Sequence, residues 1–152
     1  MTEVTRHFTA TTFVVRGDSV LLHLHRKQGL WLPPGGHIER DELPHHAAVR
    51  EIEEETGLRL RLHTEEQALV MSREMGCLVV PQPAFILVED INPFHQHIDF
   101  VYYAQVPQDG DPLPIHEEFV WMAPDDLDRD GVPQNVKDGA RRAVAFYRSD
   151  AS

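Results

Sequence analysis

Residues 36–58 read GHIERDELPHHAAVREIEEETGL, and the spacing within this stretch decides how the rest of the chain is read. From about residue 43 to 56, Ala, Val and Ile recur at helical intervals, Pro44 suits a first turn, and Gly57 suits the left-handed residue that ends a helix. Glu51, Glu53, Glu54 and Glu55 crowd the last two turns, where the macrodipole disfavours anions and like charges three or four positions apart repel. Helical stability alone does not choose such a run. At about 100° per residue, Glu51, Glu54 and Glu55 share one face, Val49 and Ile52 occupy another that can pack on a sheet, and Glu53 points away. Three converging carboxylates suit a hard divalent cation such as Mg2+ or Mn2+; the competing reading is a solvated acidic helix face.

Working outward, alternating apolar residues around Thr12–Val15 and Val20–Leu24, with Gly17-Asp18 between them, predict a β-hairpin over about residues 7–25. Residues 27–31 read as a short loop, and Leu32-Pro-Pro-Gly-Gly36 as a rigid and then permissive backbone segment. Beyond the helix, strands are expected near residues 58–63, 68–71, 77–80, 84–88, 97–106 and 118–122, with turns at 81–83 and 109–112. A last helix is expected over about residues 134–147, burying Val136, Ala140 and Val144. With 152 residues and no internal repeat or linker, the expectation is one mixed α/β domain spanning 1–152.

Lys plus Arg number 14 and Asp plus Glu 25, so the formal charge is −11. That field argues against a nucleic acid duplex or an anionic membrane as partner, although a small anionic ligand is accommodated where a divalent metal inverts the local sign. The single cysteine, Cys77, excludes an intrachain disulfide framework and reads as a small hydrophobe in a strand. No signal-peptide pattern opens the chain and no run approaches about 20 apolar residues, so a cytoplasmic location is expected.

The quoted stretch resembles the signature of the Nudix hydrolase family: Gly, five residues, Glu, seven residues, Arg-Glu, an aliphatic, any residue, Glu-Glu, any residue, Gly, an aliphatic. Gly36, Glu42, Arg50, Glu51, Ile52, Glu54, Glu55, Gly57 and Leu58 match it in identity and spacing. Arg40 departs from it, standing where many members carry Gly. The resemblance implies an α/β/α sandwich with a mixed β-sheet and two longer helices, and hydrolysis of a nucleoside diphosphate linked to another moiety. It also implies Glu54, Glu55 and the Gly36 carbonyl as ligands of Mg2+, with Mn2+ as a substitute, and Glu51 as a further ligand or the general base. Arg50 and Glu42 are implied as the pair that holds loop and helix in register. Its implied partner is a small nucleotide-type diphosphate, with a homodimer left open. Two alternatives stand beside it. One is a non-catalytic Nudix module for ligand sensing or interaction, which commonly loses box glutamates that this chain keeps. The other is a diphosphate isomerase, whose reactive cysteine has no counterpart near the box.

Backbone amides around Gly35 and Gly36 can approach phosphate because no Cβ intervenes, and His37 sits in the same loop. Glu117 and Glu118 precede a predicted strand and compete with Glu51 as base, or are a charged strand end. His97 and Asp99 alternate on one side of a strand and are expected on a surface face, the alternative being the lining of the substrate cleft; His23 and His25 are expected at exposed edge positions, the alternative being approach to a ligand. Trp31 reads as a packing residue, while Phe94, Tyr102, Phe119 and Trp121 are candidate platforms for a base. Residues 73–76 lack the Pro or Tyr that the ADP-ribose and dinucleoside polyphosphate subclasses often carry there, which argues against both substrates.

Overall fold

The computed structural model describes residues 3–63, 76, 78–109, 115–116 and 118–150. The strand expected at 68–71, Cys77, residues 73–75 of the substrate window, residues 110–112 of a turn and Glu117 lie outside the described residues.

The expected hairpin forms from β1 (Thr5–Arg16) and β2 (Ser19–His25), with Val15 opposite Val20 and Arg16 opposite Ser19. Gly17, in the turn, takes a positive φ of 61°, the conformation a two-residue hairpin loop asks for. Two very short strands follow, β3 (Leu30–Leu32) and β4 (Gly35–His37), where the sequence reads as loop. Each is three residues long, too short to show a period; pairing to β2 and β1 makes them strands.

The helix α1 (Pro44–Thr56) starts with Pro at its first position and ends at Gly57, whose φ is 77° and whose N–H donates to the Glu53 carbonyl at 2.9 Å. β5 (Phe85–Asn92) and β6 (His95–Gln105) form a second hairpin, and β7 (Phe119–Met122) pairs with β2. A short 3-10 helix over Pro124–Asp128 leads to α2 (Gln134–Asp150), three residues longer than its apolar period predicts.

Among the described residues, the strands form one mixed sheet in the order β3-β2-β1-β6-β5, with β4 on β1 and β7 on β2. Its centre is the parallel pairing of β1 with β6, in register from Thr5 opposite His95 to Val15 opposite Gln105. The strand expected at 58–63 is not one; it makes a single bridge, Leu62 to Ala104. The reason is geometric: β6 is already flanked by β1 and β5, and β5 begins opposite Val101, so only the position beyond it is left for Leu62. Residues 78–80, also expected as strand, are irregular.

The period of two divides the sheet between the helices. Phe13, Val15, Val20, Leu22, Val101 and Tyr103 pack against Val136, Ala140, Ala143 and Val144 of α2. Val14 and Leu21 pack with Ile52, and Ala10 and Tyr102 with Ala47 and Ala48, all on α1. The result is three layers, helix, sheet and helix, with the charged face of α1 beside β4. Among the described residues no helix is long and apolar enough to cross a membrane.

Candidate active site

Arg50 organises the acidic helix. Its Nε donates to Glu42 Oε2 at 2.7 Å and its Nη2 to Glu42 Oε1 at 2.8 Å, a two-pronged clamp between the helix and the loop before it. The same guanidinium donates to Glu51 at 2.9 Å, to Glu54 at 3.1 Å and to the His37 carbonyl at 3.0 Å. One side chain thus ties together α1, the preceding loop and β4. The clamp holds the Glu42 carboxyl below its ordinary range, and it holds Arg50 well above its own.

Glu51, Glu54 and Glu55 face one another as the helical period requires, whereas Glu53 turns away and pairs with Arg59 at 2.8 Å. Glu55 is pushed up to about 7, chiefly by burial and then by the charge of Glu51; Glu54 adds to the rise, and a Gly35 N–H only partly offsets it. Its Oε2 is buried without a hydrogen-bond partner. An orphaned carboxylate oxygen among like charges is an arrangement that a divalent cation would relieve, so the donor set fits a hard metal. Gly36 fits as well: a side chain there would run into the Glu51 carboxylate.

Gly35 and Gly36 are not free loop amides. They belong to β4, opposite Thr11 and Ala10, and a Cβ on Gly35 would lie 2.6 Å from the Ala10 carbonyl oxygen. The absence of side chains here serves close packing on β1 and room for Glu51. His37 is exposed, and its ring belongs to a group of histidines on the far side of β4.

Other expectations change. Asp99 is buried, not on a surface face, and accepts hydrogen bonds from the hydroxyls of Thr9 and Thr11, both at 2.9 Å; burial pushes its carboxyl up against those bonds. His23 is not on an edge: β2 lies between β3 and β7 there, and burial against Phe119 lowers the pKa of the half-buried ring. Tyr102 and Phe119 are core residues and offer no open face for a base. Trp31 packs on the core beneath Arg129, as expected, while Phe94 is exposed and Trp121 lies near the Arg16 guanidinium. Glu118 is exposed and paired with Arg26 at 3.8 Å. Sequence reasoning did not single out His7 or His95, because only the β1–β6 register brings them beside His97.

The NUDIX domain family model matches residues 5–145. The chain belongs to the Nudix hydrolase family. A solved Nudix family hydrolase from Clostridium perfringens is 34% identical, covers 95% of this chain and 99% of its own, and superposes with a TM-score of 0.73. A probable DHNTP pyrophosphohydrolase of Lactococcus lactis subsp. cremoris is 30% identical over 112 residues, 66% of this chain and 54% of that protein. A MutT-like protein of Streptomyces ambofaciens is 46% identical over 50 residues, 32% of each. The curated relatives are matched over only 11% to 54% of their own length. The helix, sheet and helix layers of this Nudix domain agree with the solved relative, and its box is the stretch that Arg50 organises.

Proposed function

We propose that this Nudix domain is a metal-dependent pyrophosphohydrolase that cleaves a nucleoside diphosphate linked to another moiety, with water attacking phosphorus. The observation that carries the reading is the buried, unpartnered Glu55 oxygen beside Glu51 and Glu54. In this proposal Glu54, Glu55, Glu51 and the Gly36 carbonyl hold Mg2+, for which Mn2+ can substitute. When bound, the cation offsets phosphate charge and makes water a better nucleophile at neutral pH.

The chain's own residues do the rest. Arg50 orients Glu51 through a 2.9 Å hydrogen bond and keeps the box loop against the helix through Glu42. Glu51 takes the proton of the attacking water as the new P–O bond forms and the bridging oxygen leaves with the other phosphoryl group. Glu118 and Glu117 are the competing bases; Glu118 is turned to Arg26, which favours Glu51. His37, next to Gly36, projects to the other side of β4 and takes no part in holding the diphosphate in this proposal. A relative named as a probable DHNTP pyrophosphohydrolase supports the bond class.

The test is hydrolysis of a panel of nucleoside triphosphates, sugar nucleotides and dinucleotides with Mg2+ in isotopically labelled water. Label should enter a phosphate product, and Glu54→Gln together with Glu55→Gln should abolish turnover while circular dichroism stays that of the native chain. Label found only on the organic leaving group, or near-native turnover in the folded double variant, would sink the proposal.

A further inference from the structure

A second group of metal-binding side chains lies away from the glutamate face. His7 of β1, His37 of β4 and His97 of β6 each offer a ring nitrogen, and these nitrogens all lie within 4.8 Å of one another. The sheet delivers them from three strands. Parallel pairing sets His7 opposite His97, and the antiparallel pairing of β1 with β4 sets His37 opposite Thr9, two residues further along the same face of β1. Ring centroids are 5.5 Å apart for His7 and His37 and 5.0 Å apart for His37 and His97.

His95 belongs to the same patch, with its ring 4.5 Å from that of His7 and 5.0 Å from that of His97. Its Nδ1 lies 3.2 Å from the Thr5 carbonyl oxygen. A carbonyl only accepts, so Nδ1 is the donor there and Nε2 is the nitrogen left to face the patch.

We propose that His7, His37 and His97 form a binding site for a borderline divalent transition metal of the zinc class, with a fourth position for His95 or water. Imidazole nitrogens suit such a cation, whereas the oxygen-only set on α1 suits Mg2+. Tetrahedral zinc with nitrogen ligands at about 2.0–2.1 Å sets those nitrogens about 3.4 Å apart. From the present spacing, rotation of the exposed His7 and His37 side chains closes the difference without moving the sheet.

One further feature favours it: the Asp99 carboxyl lies two residues along β6 from His97 on the same face of the strand, so an oxygen donor stands next to the imidazoles. The two sites are back to back: the bare face of Gly36 admits Glu51 on one side of β4, and His37 projects to the other. The inference does not depend on the hydrolase reading.

The experiment uses the full, untagged chain carrying Glu54→Gln and Glu55→Gln, so that the glutamate face contributes no metal binding. Calorimetric titration with Zn2+ and visible absorption with Co2+ should show one equivalent bound, and Co2+ should give the intense bands of four- or five-coordination. Zn2+ should also raise the melting temperature. His7→Ala, at an exposed position, and His97→Asn should each weaken Zn2+ by about 100-fold or more and remove the Co2+ bands. Absence of binding, or Zn2+ affinity within about threefold of the parent in both histidine variants, would overturn the proposal. The Co2+ spectrum of the parent reads the ligand set directly, so the test does not hang on either variant folding.

Discussion

Replacing Glu55 by Gln should make the metal-free chain more stable while making it a poorer metal binder. In the folded chain the Glu55 carboxyl has risen from 4.5 to about 7, because burial and then the charge of Glu51 oppose its ionisation. A rise of that size corresponds to about 3.4 kcal/mol for a fully enclosed group. Glu55 is only partly enclosed, so solvent screening roughly halves this to about 1.7 kcal/mol. The sign follows from proton counts. Between 4.5 and about 7 the folded chain keeps the Glu55 proton while the unfolded chain loses it, so stability falls as pH rises through this window. Above it the deficit is complete. Glu55→Gln removes the charge but leaves an oxygen that can still accept from the Gly35 N–H. Thermal unfolding in EDTA should therefore show the variant melting about 3–7 °C above the parent near pH 8, with little gain near pH 5. Added Mg2+ should raise the parent's melting temperature and do less for the variant. An equal gain at both pH values, or a lower melting temperature at the higher one, would refute the view that the carboxylates strain the fold.

Arg50→Lys keeps one charge but loses the fork that spans Glu42, Glu51, Glu54 and the His37 carbonyl, and urea unfolding should show a loss of about 2–3 kcal/mol; a change below about 0.5 would mean the clamp contributes little. Gly36→Ala drives a methyl group into the Glu51 carboxylate on a strand pinned to β1, so Mg2+ affinity by calorimetry should drop about tenfold or more with native circular dichroism; unchanged affinity would place Glu51 outside the metal set. Gly139→Ala pushes a Cβ into the Phe13 ring where α2 crosses the sheet, and denaturant unfolding should show about 1–3 kcal/mol of overpacking; a neutral result would mean the ring has room to turn.

The parts of the fold legible in the sequence are those whose period is long enough to register. Thirteen residues of α1 carry the Ala47, Ala48 and Ile52 stripe, a Pro start and a Gly stop, and β1 alternates along its length between the two helices. β3 and β4 escaped because three residues show no period, and two of those in β4 are glycines. Residues 58–63 alternate like a strand at Leu58, Leu60 and Leu62 and do bury apolar surface in the α1 layer, but among the described residues β6, the strand they approach, is taken by β1 and β5 up to Val101, which leaves room for a single bridge. The glutamate face was readable from helical geometry alone. Its strength was not, since the burial that lifts Glu55 comes from β4 folding back beside α1. The histidine group was invisible for a related reason: His7 and His97 are neighbours only through a register that joins residues ninety apart.

That register also governs when the chain can fold. β1 precedes the other strands of the described sheet in the chain and stands at its centre, yet its long parallel partner ends at Gln105. A chain emerging from the ribosome can close the β1–β2 hairpin early, but the edge of β1 that pairs with β6 stays bare until residue 105 is out, and Phe13 and Val15 stay uncovered until α2 follows. Long-range parallel pairing is slow because a large loop must be closed before any contact rewards it. Half-made chains are thus the aggregation-exposed species, and slowing elongation before residue 105 should prolong that exposure instead of aiding folding.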